Sequence, residues 1–129
     1  MASVTLKGTP CNLAGTMPKP GAAAPAFTLT KADLSAVGLA DLRGKTTVLL
    51  TVPSLDTPVC QAETRKFNER ASSLKNATVI VASSDLPFAI KRFCAAEGIR
   101  NVHGASDLRD RGFGERWGVA IQDGPLAGV

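Results

Sequence analysis

The sequence is short of the residues that build most metal and disulfide sites. Its 129 residues include three cysteines and one histidine. Cys11, Cys60, Cys94 and His103 contain no pair at Cys-x2-4-Cys spacing, so a structural Cys3His zinc is set aside. Three cysteines do not make a disulfide framework either. That leaves thiols that are catalytic, redox-active or simply buried. No apolar run approaches the ~20 residues of a membrane span. The opening Met-Ala-Ser-Val-Thr-Leu-Lys lacks the apolar core of a signal peptide, so a cytoplasmic protein is expected. Strong charge of one sign is missing too. The net charge is +4, and the basic residues from Arg109 to Arg116 are interleaved or flanked by Asp107, Asp110 and Glu115. That pattern reads as a solvated face, not a nucleic-acid groove.

What is present reads as one globular domain over residues 1–129, with an apolar fraction of 44%. It is organised around Thr51-Val52-Pro53-Ser54-Leu55-Asp56-Thr57-Pro58-Val59-Cys60. A β-branched run from Thr46 to Val52 precedes the loop and predicts a central strand covered on both faces. A helix-like run from Val59 to Leu74 follows. Thr57 suits the N-cap and Pro58 the first helical position, which puts Cys60 third, in the first turn. Backbone N–H groups there have no intrahelical acceptor, and the helix dipole adds partial positive charge. Both stabilise a thiolate and raise its reactivity. As N-cap, the Thr57 side chain is expected within reach of the Cys60 amide and sulfur. Thr64, Phe67, Ala71 and Leu74 extend one helical face from Cys60, so the cysteine should be partly sheltered.

The flanking chain alternates strand and helix. Val4–Lys7 and Cys11–Leu13 read as a hairpin around Gly8-Thr9-Pro10, with Cys11 a small half-buried strand residue. Residues 16–25, rich in Pro, Gly and Ala, read as a loop. Ala26–Thr30 reads as a short strand, and Leu34–Arg43 as a mixed loop with one helical turn, closed by Gly44. Thr78–Ser83 predicts a second buried strand, reached from the first by a parallel right-handed crossover. Pro87 opens a helix that Gly98 ends, with Ile90, Phe93 and Cys94 on its apolar face. On periodicity alone Cys94 is a core residue. Residues 99–103 can give one short strand, with His103 at the surface. Phe113 and Trp117, four apart, read as a short packed helix. Residues 118–129 read as a loop or partial strand with a turn at Asp123-Gly124-Pro125.

The spacing Pro53-x3-Thr57-x2-Cys60 resembles the active-site signature of peroxiredoxins. The longer string Pro53 to Cys60 resembles the bacterial thiol peroxidases, a branch of atypical two-cysteine peroxiredoxins. Ser84-Asp85-Leu86-Pro87-Phe88, Lys91-Arg92-Phe93-Cys94, Glu97-Gly98-Ile99 and Asp123-Gly124-Pro125-Leu126 resemble the same branch in the same order. The resemblance covers residues 4 to 129. It implies a thioredoxin-like α/β fold with an added N-terminal hairpin. It also implies Cys60 as peroxidatic and Cys94 as resolving cysteine, joined in an intramolecular disulfide that thioredoxin reduces. Thr57 would orient the peroxide, and Pro53 would shield the sulfur. The substrate would be hydrogen peroxide or an organic hydroperoxide. No metal, flavin or haem is implied, and a homodimer is.

The chain departs from that pattern at its end. The resemblance implies an arginine, two strands and a helix after Asp123-Gly124-Pro125-Leu126, whereas the sequence stops at Val129. The expectation is a domain incomplete at its C-terminus, as a fragment or a genuine truncation. Arg92, Arg100, Arg109, Arg111 and Arg116 lie outside the segment of the family arginine. Two other functions stay open. One is a dithiol–disulfide oxidoreductase of the thioredoxin type, although Glu63 stands where its Cys-x-x-Cys would need a second cysteine. The other is an inactive peroxiredoxin fragment.

Overall fold

The computed structural model describes residues 2–129. The chain divides into two units, one running up to Phe27 and resuming at Asp110–Val129, the other Thr28–Arg109.

In the first unit, strands β1 (Ser3–Leu6) and β2 (Thr9–Asn12) pair antiparallel. The hairpin turns on Lys7 and Gly8, both at positive φ (50° and 83°), so the turn is shorter than Gly8-Thr9-Pro10 and Pro10 lies within β2. Two left-handed residues match the twist of paired strands. Cys11 is buried, which is deeper than half-buried. Leu13 bridges Ile121, and Asp123 accepts hydrogen bonds from the Asn12 amide and side chain at 2.9 and 3.0 Å. The short helix α3 (Phe113–Arg116) is capped by Trp117. Phe27, Phe113 and Trp117 form a cluster of rings with centroids 6.1 to 6.2 Å apart.

The second unit is built on a five-stranded sheet in the order β4 (Ala36–Gly38), β3 (Thr28–Lys31), β7 (Val102–Ser106), β6 (Ala77–Ser83) and β5 (Thr46–Thr51). Strand β3 (Thr28–Lys31) starts two residues later than the composition suggests and pairs with β4 (Ala36–Gly38). Pairing with β3 thus makes a strand inside the Leu34–Arg43 stretch that the sequence predicts as a loop. A 3-10 turn over Leu39–Leu42 is tied back by the Asp41 carboxylate on the Gly38 amide, at 2.8 Å. Strand β5 (Thr46–Thr51) runs into the cysteine loop and helix α1 (Pro58–Ala71). Strand β6 (Ala77–Ser83) lies parallel to β5, as the crossover requires. Helix α2 (Pro87–Glu97) leads to β7 (Val102–Ser106), parallel to β6. Helix, strand and cysteine placement together give the thioredoxin-like α/β fold.

The expectation of β5 as a central strand is corrected. Among the described residues β5 pairs only with β6, and none of its six residues is buried. The fully covered strand is β6, where Val79 to Ser83 are all buried. Val79 and Val81 meet Ile90 of α2 and Val102 of β7 in the core, with Phe67, Ala71, Phe93 and both Cys60 and Cys94 packed against it. Leu74, expected on the α1 stripe, falls past the helix end and is exposed. The far end of α1 is held by Asn68, whose side-chain oxygen accepts the Arg100 and Asn101 amides at 3.0 and 2.8 Å. Among the described residues no helix is long and apolar enough to cross a membrane.

Candidate active site

The two cysteines reach the same core from two helices. Cys60 stands third in α1, behind Thr57 at the N-cap and Pro58 at the first position. It is half-buried, as a residue at the edge of the apolar stripe should be. One turn on, Thr64 is fully buried and its hydroxyl donates to the Cys60 carbonyl at 2.8 Å. That bond spends a hydroxyl inside an apolar core and fixes the backbone below the sulfur.

The N-cap is not made as expected. Thr57 has extended backbone, but its hydroxyl makes no cap to the first-turn amides. It donates instead to the Ser54 carbonyl at 2.9 Å. A nearer backbone acceptor has taken the proton. The amides of Val59 and Cys60 are therefore left to whatever binds at the helix start. The Thr57 oxygen also keeps its lone pairs for a donor.

The loop itself is pinned from the sheet side. The β5–β6 ladder continues past the strand end, with Val52 donating to Ala82 at 3.0 Å and Ser84 to Pro53 at 3.4 Å. Pro53 is half-buried at that point. Leu55 is buried in the core. Asp85, at the start of the β6–α2 connection, accepts the Ser54 hydroxyl and the Leu55 amide, each at 2.7 Å. It also accepts the Ser83 hydroxyl at 2.9 Å. Neither Ser54 nor Asp85 stood out as a site residue in the sequence. The cue was faint: Ser-x-Asp in a turn, and an acid between a strand and a helix-opening proline.

Cys94 is the eighth of eleven residues in α2, and its carbonyl accepts the Gly98 amide at the C-cap and the Ile99 amide at 2.9 Å. Gly98 takes the left-handed φ of 65° that ends the helix. The Cys94 sulfur faces β7 at Gly104, where an added Cβ would lie 3.6 Å from the sulfur and collide with the Ile90 methyl. Burial pushes the Cys94 thiol up from its ordinary value. All three cysteines are free thiols. Cys11 belongs to the other unit.

Between the loop and α2 lies an open groove of 830 Å³. Ser54, Asp56 and Gln61 line one side, and Leu86, Phe88 and Arg92 the other. Leu86 and Phe88 are exposed apolar side chains, as is Val59 beside Cys60. Arg92, which matches no family arginine in the sequence, is thereby placed on the groove next to the cysteine loop.

The Redoxin family matches residues 19–129. The chain is 52% identical over 129 residues to a thiol peroxidase of Mycobacterium tuberculosis, covering all of this chain and 77% of that protein. It is 49% identical over 131 residues to a thiol peroxidase of Leptospira interrogans, again covering all of this chain and 77% of the relative. A solved peroxiredoxin-like protein from Aquifex aeolicus superposes with a TM-score of 0.92 at 45% identity, over 98% of this chain and 73% of that one. With identity this high along its whole length, and a cysteine at the first turn after the β5 loop, the chain belongs to the thiol peroxidases of the redoxin family.

Proposed function

We propose that this thiol-dependent peroxidase reduces hydrogen peroxide and organic hydroperoxides through Cys60 as the peroxidatic cysteine, with Cys94 resolving and thioredoxin as reductant. The observation that carries the reading is the place of Cys60. It is a half-buried thiol in the first turn of α1, below amides with no intrahelical acceptor and three residues after Thr57 at the N-cap.

In the first step the Cys60 thiolate attacks the terminal oxygen of the hydroperoxide. The O–O bond breaks, Cys60 becomes a sulfenic acid, and an alcohol or water leaves once its oxygen takes a proton. Thr57 has its own proton committed to Ser54, so it acts toward the peroxide as an acceptor. The peroxide O–H donates to it and the chain of atoms points at the sulfur. First-turn amides oppose the charge that develops on oxygen. Pro53, half-buried where the loop leaves the sheet, would shield the sulfur from water. Leu86 and Phe88 are exposed apolar side chains on the groove beside the cysteine loop.

In the second step the Cys94 sulfur attacks the Cys60 sulfur, forming the disulfide and releasing water. A bridge needs Cα atoms within about 7 Å. Cys94 can move only if the last turn of α2 lets go of the Gly98 and Ile99 amides. Burial keeps the waiting Cys94 thiol protonated. A reduced dithiol then exchanges with the bridge and restores both cysteines. Sulfur carries both electrons, so the reaction calls for no metal or organic cofactor. The same reading gives a cytoplasmic homodimer.

The test is a coupled assay of thioredoxin oxidation with added hydrogen peroxide or cumene hydroperoxide. It is joined to peptide mapping after one equivalent of oxidant. Peroxide-dependent turnover and a Cys60–Cys94 bridge are expected. Turnover on a protein disulfide without peroxide, or a bridge that includes Cys11, would overturn the assignment.

A further inference from the structure

We propose that Asp85 is a positioning residue for the reaction of Cys60 with peroxide, clasping the cysteine loop so that Thr57 stands in register with the sulfur. The inference rests on the reading of Cys60 as the nucleophile and adds a residue that acts through others.

The clasp spans 31 positions from Ser54 to Asp85. The loop leaves β5 at its edge of the sheet, where no further strand holds it among the described residues. Its fixed points are the short ladder extension to Ser84, the buried Leu55, and Asp85. Asp85 supplies the polar hold. One carboxylate oxygen takes the Ser54 hydroxyl, and the other takes the Leu55 amide and the Ser83 hydroxyl. Ser83 is itself buried, so the carboxylate is braced from β6 before it reaches the loop.

Ser54 then passes the constraint on. Its hydroxyl accepts the Asp56 amide at 3.0 Å, and its carbonyl accepts the Thr57 hydroxyl at 2.9 Å. The route from Asp85 to the Thr57 hydroxyl therefore runs through one residue. Three donors converge on two oxygens, and a carboxylate meets them all because it only accepts. An asparagine can still hold Leu55 and Ser83 with its oxygen while its NH2 donates to Ser54. An alanine holds none of them.

Placement of this kind matters most for a reagent that must be oriented. A peroxide needs Thr57 and the first-turn amides together, whereas iodoacetamide needs only an accessible thiolate. Misplacing a reacting group by about 1 Å can lower a rate by about 100-fold. We expect Asp85→Ala to slow the second-order reaction of Cys60 with hydrogen peroxide by about 30- to 100-fold and to change its alkylation by less than about threefold. Asp85→Asn should recover part of the loss, falling about three- to tenfold below the parent. Ser54→Ala added to Asp85→Ala should cost little more, because both cut the same route.

The measurements are stopped-flow oxidation and iodoacetamide kinetics on the whole chain, with thermal melts of each variant. If Asp85→Ala does not fold, Asp85→Asn decides by the same ratio of peroxide to alkylation rates. Equal losses with both reagents, or no loss with peroxide, would overturn the positioning role. A parent chain inert to peroxide sinks the peroxidatic reading and this inference together; a reactive parent with an equally reactive Asp85 variant sinks this inference alone.

Discussion

Helices α1 and α2 each follow a strand end, each take proline at the first helical position, and each carry one cysteine. In α1 the cysteine stands third, among amides that still lack acceptors. In α2 it stands eighth, and its carbonyl is already engaged in closing the helix. Both cysteines pack against the same core, and burial pushes the Cys94 thiol up from its ordinary value. Position along a helix thus separates two roles that composition cannot. A thiol at the start faces donors that stabilise its charge, and one near the end, against a strand, stays neutral until the helix opens.

The strongest break of this comparison is to exchange the sulfurs for oxygen one at a time. Cys60→Ser should lower peroxide consumption by at least about a thousandfold, since the nucleophile itself is gone. Cys94→Ser should still consume one equivalent in a burst and then stop turning over with thioredoxin. Stopped-flow and steady-state traces on the two variants separate the outcomes. A Cys94→Ser chain with no burst would show that the two thiols do not divide the work this way.

Next in size is the seat of Cys94. Gly104 lets α2 lie close to β7, and a methyl group there would meet Ile90 and crowd the Cys94 sulfur. Gly104→Ala should destabilise the protein by about 1 to 3 kcal/mol, measured by denaturant unfolding. Cys60 alkylation should be unchanged in the same variant, because α1 does not share that contact.

Alkylation compares the two sites directly. At neutral pH iodoacetamide should modify Cys60 at least about tenfold faster than Cys94 or Cys11, read by mass spectrometry of the digested chain. Prior modification of Cys94 would reverse the assignment.

The smallest effect is on stability against pH. The native state holds the Cys94 proton above its ordinary value of 9.0, so the unfolded chain gives it up first as pH rises. The contribution is whole below pH 9 and is lost progressively above it. Cys94→Ser should flatten the decline of unfolding free energy over that range, seen in denaturant midpoints taken from pH 8 upward.

Local signals carried most of what could be read in the sequence. Proline after Thr57 and after Leu86, and glycine after Glu97, mark helix ends by backbone geometry alone, and all three ends lie where those residues put them. The hairpin was legible from its alternation, though not its turn, because Lys7 adopts positive φ with no glycine to announce it. Strand β4 was hidden because Ala36-Val37-Gly38 has little strand character of its own; pairing with β3 makes it a strand. The edge position of β5 was illegible for a different reason. Thr-Thr-Val-Leu-Leu-Thr reads the same with one neighbour or two, and the neighbours are set by chain far away. The partner of the Thr57 hydroxyl and the hold of Asp85 were illegible for the same cause: the Ser54 carbonyl outcompetes a helix cap, and the Asp85 carboxylate meets its loop across 30 residues.

The position of β5 at the sheet edge also sets a clock on the molecule. In a parallel ladder with one neighbour, only alternate amides of a strand donate to the sheet, while the others point outward to water. Deuterium should therefore enter every second amide of Thr46–Thr51 quickly, and the amides of Val79–Ser83 in β6 slowly, since β6 is paired on both sides. Local opening that begins at β5 reaches Val52 and Pro53 within two residues. The strand that delivers the cysteine loop thus shares its local openings with the loop itself.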